Sequence, residues 1–263
     1  MRRIEENPST STRRIAAEER VNSTTVCRIL KDRQLYPYHL QRVQEIEEGD
    51  FENRFHFCTW MMEMITADEG FLSKILFTDE AIFNRNGSVN TRNSHVWAEE
   101  NPHALFEIFT QRQFSTNIWA GILGDKIIGP IVLPLRLGGQ GYLEFLQTQL
   151  PALLEDVPLI VRRDMWYMQD GAPAHSVVIV RQHLNAYFGN RWIGRAGPSA
   201  WPARSSDFNP LDFFYWGHMK NLVYSTPGAT LDELEQRIQF TSGIMQNVMG
   251  HFRQVRENIR RRM

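Results

Sequence analysis

The sequence predicts an α/β protein: a mixed sheet flanked by helices, preceded by a small all-α helix-turn-helix segment. Three observations carry this. Short apolar runs of strand character at residues 75–78, 117–123, 126–133 and 165–168 alternate with stretches of helical period. Their order is three strands, helix, strand, helix, loop, helix, which is a layered sheet-and-helix plan. Ahead of them, residues 9–34 carry two short helical patterns around a tight turn.

In the first segment Thr10, Ser11 or Thr12 caps a helix that runs to about Arg20. Val21-Asn22 is read as the turn, because Asn tolerates left-handed backbone, and Ser23 as the cap of a second helix to about Asp32. Ile15, Val21, Val26, Ile29 and Leu30 are spaced to pack the pair. This is the plan in which the second helix enters a DNA major groove. Arg13, Arg14, Thr24, Thr25, Arg28 and Lys31 are its candidate DNA contacts, with a plain helical hairpin as the alternative.

Residues 35–50 read as a linker broken at Pro37, with Glu45, Glu47, Glu48 and Asp50 solvated, before a Phe-, Trp- and Met-rich core helix at 51–66. The strand at 75–78 ends in Asp79-Glu80. The next two form a hairpin turning at Gly124-Asp125. A helix at 141–154, a buried strand ending in Gln169-Asp170, and a helix at 177–187 follow. A Gly/Pro/Ser-rich loop at 194–210 leads to a helix starting near Leu211, and one last long helix runs from Thr230 or Leu231 into the Arg-rich end. The expected organisation is a partial helix-turn-helix at 1–36, linker and helix at 37–70, and the sheet domain at 71–263.

With 263 residues, 42% of them hydrophobic, the chain can bury a real core, so disorder throughout is excluded. Two cysteines, Cys27 and Cys58, make neither a disulfide framework nor a thiolate metal cage, which fits a reducing compartment. No apolar run is long enough for a bilayer span, since residues 127–137 are broken by Gly129, Pro130, Pro134 and Arg136. The net charge of −1 hides an asymmetry. Residues 1–44 hold nine Arg/Lys and five Asp/Glu, a net of +4, and residues 251–263 hold five Arg and one Glu, again +4. The middle therefore carries −9. Basic ends on an acidic body suit phosphate-binding ends and a metal-holding body, or simply a solvated surface.

Two strands thus end in an acid after an apolar run, where α/β sheets bind ligands, and Asp212 follows Asn209-Pro210-Leu211 at a helix start. Three converging carboxylates repel one another, and hard divalent cations such as Mg²⁺ or Mn²⁺ relieve that. Two such ions roughly 3.5–4 Å apart would activate a nucleophile and stabilise the leaving oxygen of a phosphodiester. Each acid alone reads as well as a turn former or a first-turn helix acid.

Thr78-Asp79-Glu80-Ala81, Gln169-Asp170-Gly171-Ala172-Pro173-Ala174-His175 and Ser206-Asp207-Phe208-Asn209-Pro210-Leu211-Asp212 occur in that order. With Trp119-Ala120-Gly121 and Tyr142-Leu143-Glu144 they resemble the mariner-like transposases of the DDE/D superfamily over roughly residues 10–260. The resemblance implies an RNase H-like catalytic domain and a site that uses two Mg²⁺ or Mn²⁺ ions. It implies DNA cleavage and strand transfer, and double-stranded DNA, both transposon ends and target, as partner. It further implies a homodimer when active and a nuclear location. Asp79, Asp170 and Asp212 match the three catalytic, metal-holding acids, with Asp207 the rival for the third. Forty-one residues separate Asp170 from Asp212, longer than the common mariner spacing, and the extra ones are expected within 190–204. Only one helix-turn-helix unit fits, where such proteins usually have two; by the resemblance it matches the second, so the chain is expected to be truncated N-terminally, with a catalytically silent or domesticated DNA-binding remnant as the alternative. Glu80 is expected to point away from Asp79, His175 to order the site or serve as a structural histidine, and Trp201 to pack in its loop or stack on a flipped base.

Overall fold

In the computed structural model, which describes residues 10–36, 45–87, 113–225, 230–247 and 251–263, the chain divides into two compact units, Met1–Val43 and Gln44–Met263.

The first unit holds α1 (Thr12–Glu18) and α2 (Ser23–Asp32). Ser11 caps α1 by accepting from the Arg14 N–H (3.1 Å). Asn22, not Ser23, caps α2, accepting from the Thr24 N–H (2.8 Å) from an extended backbone. The left-handed residue is Arg20 (φ 54), which lets the Val21 N–H return to the Ala16 carbonyl (3.0 Å) and close α1. Ile15, Ala16 and Val26 are buried with Leu30 against them. Val21 and Ile29, expected inside, are exposed. Pro37, expected to break the following linker, lies outside the described residues.

The second unit is built on β1 (Ile75–Asn84). It pairs antiparallel with β2 (Ser115–Leu123), which pairs antiparallel with β3 (Lys126–Leu133) through the Gly124-Asp125 turn. On its other side β1 pairs parallel with β4 (Trp166–Met168), followed by β5 (Trp192–Gly194) and β6 (Ser199–Ala200), giving the order β3-β2-β1-β4-β5-β6. β5 and β6 lie in or beside what the sequence suggested was all loop. Three-residue and two-residue strands are too short to show a period.

Alternation along the strands feeds two cores, one on each face. Ile75, Phe77, Ile118, Ala120, Ile122, Met168 and Ile193 face one cluster, while Leu76, Trp119, Leu123, Tyr167 and Trp192 face the other. The first is covered by α3 (Glu48–Ala67) through Phe57, Met61 and Ile65, with the short α4 (Phe71–Lys74) leading into β1. The second is covered by α5 (Gly139–Glu144), which continues through a π-helical turn (Phe145–Gln149) into α6 (Leu150–Leu153), and by α8 (Val178–Phe188), with α7 (Leu159–Asp164) between.

α3 begins three residues before the expected start. Asp50 is not solvated: it is buried, its carboxylate accepts from the Glu47 N–H (3.0 Å), and it pairs with Arg204. The expected single last helix is two, α10 (Leu231–Gln246) and α11 (His251–Arg262); α9 (Trp216–Val223) precedes them. α11 is no free basic tail. Phe252, Val255 and Ile259 are buried in the first core. Arg256 donates to the Gly124 carbonyl (2.7 Å), Arg260 to the Glu69 carbonyl (2.9 Å), and Arg262 lies over the Phe213 ring (4.3 Å).

Ile259 has no solvent-exposed surface, so Ile259→Ala should cost about 2–5 kcal/mol, read as a lower midpoint in urea unfolding; a loss under about 1 kcal/mol would mean that α11 is not part of this core.

Candidate active site

The acids come together because of where strand pairing stops. β1 and β4 run parallel only as far as Phe77 opposite Met168, while β1 stays paired with β2 out to Asn84. Asp79 and Glu80 therefore sit within β1, not at its end, but just past the last parallel partner. Asp170 leaves β4 at the same level. Thr78 fastens the junction, its hydroxyl donating to the Met168 carbonyl (2.6 Å).

The third acid arrives on the turn after Pro210. Asn209 is buried, donates to the Thr78 carbonyl (3.2 Å) and accepts from the Leu211 N–H (3.1 Å). That anchors a π-helical turn (Leu211–Tyr215) leading into α9, with Asp212 in its first turn. Asp79, Glu80, Asp170 and Asp212 line one cleft of about 580 Å³. Asp207 does not line it; it is held by Arg54 in a two-pronged pair (2.9 and 2.6 Å), with the guanidinium over the Phe208 ring (4.2 Å).

Each carboxylate has a different setting. Burial, then the charges of Asp212 and Glu80, push Asp79 well above the usual carboxylate range, against one stabilising bond from the Trp216 indole N–H (2.8 Å). Asp212 is raised to about 6 by burial of its carboxyl and by Asp170, with Lys220 opposing. For Asp170 burial works upward too, but the His175 hydrogen bond and charge and the Ala172 N–H together hold it below the usual range. His175 is buried. Its Nδ1 lies 2.7 Å from Asp170 Oδ1, its Nε2 3.4 Å from Glu80 Oε1, and its ring 4.1 Å from that of Tyr142. Burial disfavours its charge, yet the two carboxylates raise it to about 10, making it a cation. Gln169 fixes it from behind, donating to the His175 carbonyl (3.0 Å) and accepting from the Tyr142 hydroxyl (3.0 Å), which meets the Tyr167 hydroxyl (2.7 Å).

Strand alternation does send Glu80 toward His175 and Asp79 toward Trp216, yet both reach the cleft. Glu80 Oε1 is buried without a well-formed hydrogen bond. Among the described residues no three Asp, Glu, His or Cys side chains stand ready to hold an ion as they are. Asp79 is turned to Trp216 and Asp170 to His175, so the two carboxylates rest on different partners. Trp201 is buried edge-on to Phe57 (5.2 Å), a packed loop aromatic. Trp216 was not anticipated, though its place one helical turn after Asp212 puts both on one helix face. In the first unit Arg13, Arg14, Thr24, Arg28 and Lys31 are exposed and Thr25 partly so; Arg14 pairs with Glu18 (3.1 Å).

Asp79 carries its stabilising contribution when protonated: it is complete below the ordinary carboxylate range and is lost as pH rises through the elevated value. Asp79→Asn should therefore melt higher than wild type at neutral pH, by about 2–4 °C per kcal/mol relieved, with the gap closing toward pH 4. Equal melting temperatures across that window would mean that the Asp79 carboxyl is not under this strain.

No family model matches the chain. Over 156 residues, 58% of the chain, it is 26% identical to the Transposable element Tc3 transposase of Caenorhabditis elegans, a stretch that spans 43% of that relative's length. The Mos1 mariner paired end complex with Mn matches with a TM-score of 0.74 at 16% identity, over 98% of this chain and 74% of that one. The Mos1 transposase paired-end complex with left transposon end matches with a TM-score of 0.72 at 16% identity, again over 98% and 74%. The catalytic domain of Mos1 mariner transposase matches with a TM-score of 0.61 at 16% identity, over 84% of this chain and 94% of that one. The chain is thus similar in sequence to the Tc3 transposase over that stretch and carries the RNase H-like fold of the Mos1 catalytic domain.

Proposed function

We propose that the chain cleaves DNA and transfers strands by metal-dependent phosphoryl transfer, with Asp79, Asp170 and Asp212 holding two Mg²⁺ or Mn²⁺ ions. The observation that carries this is the meeting of three acids from two strands and a helix start on one cleft, with Asp79 and Asp212 both raised by burial and by neighbouring carboxylates. Hard oxygen donors in excess negative potential suit a divalent cation. The donor set fits, and the poorly bonded buried oxygen of Glu80 adds a further carboxylate at its rim. When bound, such ions activate a water or a 3′ hydroxyl and stabilise the leaving oxygen.

The protein's own residues then have separable tasks. His175, held by Gln169 and Tyr142, keeps one Asp170 oxygen engaged and aims the carboxylate. Trp216 does the same for Asp79. Asn209 ties the Asp212 turn to β1. Asp207 is occupied by Arg54, which favours Asp212 as the third acid.

The similarity to the Tc3 transposase and to Mos1 complexes with transposon end DNA, Mn and Mg supports the reading. In the first unit the exposed Arg13, Arg14, Thr24, Arg28 and Lys31, with Thr25, form the DNA-contacting face. Pairing two DNA ends calls for a homodimer, and work on chromosomal DNA for a nuclear location.

The test is nicking of supercoiled plasmid in Mn²⁺ or Mg²⁺. Asp170→Ala and Asp212→Ala should each lose on the order of 10³-fold or more while staying folded. Asp207→Ala should keep nicking within a few fold but lose about 1–3 kcal/mol of stability, because it strands a part-buried guanidinium. Retained nicking in Asp170→Ala would remove the metal site from consideration. Folded wild type that binds DNA without nicking would leave a DNA-binding remnant.

Arg28→Ala should weaken duplex binding about equally on all sequences or relax preference at one base; unchanged affinity would count against α2 as the recognition helix.

A further inference from the structure

The acid cleft does not end at the acids. It continues into a second groove of about 470 Å³ between α3 and residues 195–203, and the two share Arg195, Trp201, Pro202 and Ala203. The wall they share is a built structure. Ile193 pairs with Ser199 and Gly194 with Ala200, so the segment folds back as the sixth strand. The Gly197 and Trp201 N–H groups both return to the Gly194 carbonyl (3.0 Å each). A Cβ at Gly194 or Gly197 would stand 2.9 Å from the Trp192 ring, so a side chain at either position would have to displace that buried ring. The turn lies between Asp170 and Asp212, on the path from the second acid to the third.

Arg195 stands where the two spaces join. Its stem passes within 3.6 Å of where a Gly171 Cβ would lie, next to Asp170, and its side chain is exposed. Among the described residues it makes no hydrogen bond or ion pair, although acids line the same cleft. Its neighbours Arg54 and Arg204 are committed, to Asp207 and to Asp50. A polyanion approaching four carboxylates is repelled, and a cation at the rim offsets that repulsion. The opposite wall offers exposed Asn53 and His56 and the part-buried Trp60 of α3, polar and aromatic surfaces that suit sugar and base.

We propose that this groove holds the DNA strand adjoining the scissile phosphate, with Arg195 on the neighbouring phosphate and Asn53, His56 and Trp60 along the nucleotide beyond it. The proposal rests on the phosphoryl-transfer reading of the acid cleft and gives the substrate strand its path away from it.

The experiment measures binding of the full chain to a fluorescein-labelled DNA duplex with a single-stranded extension, by anisotropy between about 50 and about 200 mM salt. Plasmid nicking is measured alongside. Losing one phosphate contact to a single strand lowers the slope of log K against log salt by about 0.7, so Arg195→Ala should lose about threefold less affinity than wild type over that range. His56→Glu places a negative charge on an exposed helix position and should weaken binding by at least about threefold. Wild-type nicking with an unchanged slope in Arg195→Ala and unchanged affinity in His56→Glu would overturn the groove and leave the acid site standing. Wild type that neither binds nor nicks DNA would overturn both.

Discussion

The parallel pairing of β1 with β4 ends after three residue pairs, and the candidate site is a consequence of that end. Beyond Phe77 and Met168 the two strands part, and the backbone left without a ladder partner is taken up by side chains. Thr78 closes onto the Met168 carbonyl, and Asn209 reaches the Thr78 carbonyl from a distant turn. Each bond satisfies a polar group that burial would otherwise leave costly. Between them the two bonds bring three acids together: Asp79 follows Thr78, Asp170 follows β4, and Asp212 follows Asn209. Backbone satisfaction and the convergence of charge are here the same set of contacts.

Convergence of charge has a cost, and the surrounding side chains distribute it. Asp79 and Asp212 are both raised above the usual carboxylate range, Asp79 the further, whereas Asp170 is held below it because a buried imidazolium faces it. His175 is itself tolerable only because two carboxylates flank it and the Tyr142 ring covers it. The network of Tyr167, Tyr142 and Gln169 behind it is fully inside the second core, so the orientation of Asp170 is coupled to the packing of α5 and the sheet.

Much of this was legible in the sequence, for identifiable reasons. Runs such as Ile75-Leu76-Phe77 and Trp166-Tyr167-Met168 are buried on both faces and so are continuously apolar. Gly124-Asp125 marks its hairpin by the left-handed backbone that Gly124 adopts (φ 58). The acids follow those runs and could be found from them. What stayed hidden depends on partners far along the chain. Asp50 looks like any acid in a charged stretch until Arg204 closes on it from 154 residues away. β5 and β6 are too short to carry a period of their own. The Arg-rich end reads as a solvated tail because its three buried apolar residues, Phe252, Val255 and Ile259, are outnumbered by charge, although their spacing is helical.

The same long-range pairs give α3 a second role. Arg54 on that helix holds Asp207 and the Ser205 hydroxyl (2.7 Å), and Asp50 and Glu47 at its start hold Arg204. Residues 204–207 immediately precede the Asn209 turn that presents Asp212. α3 therefore clamps the loop whose far end carries the third acid, while its Phe57 packs against Trp201 and Phe208 within that loop. A helix that the sequence marks only as apolar filler thus anchors the loop that leads to Asp212. Part-buried arginine–carboxylate pairs suit that task, because breaking one leaves a stranded charge and the loop has few alternative arrangements of similar energy.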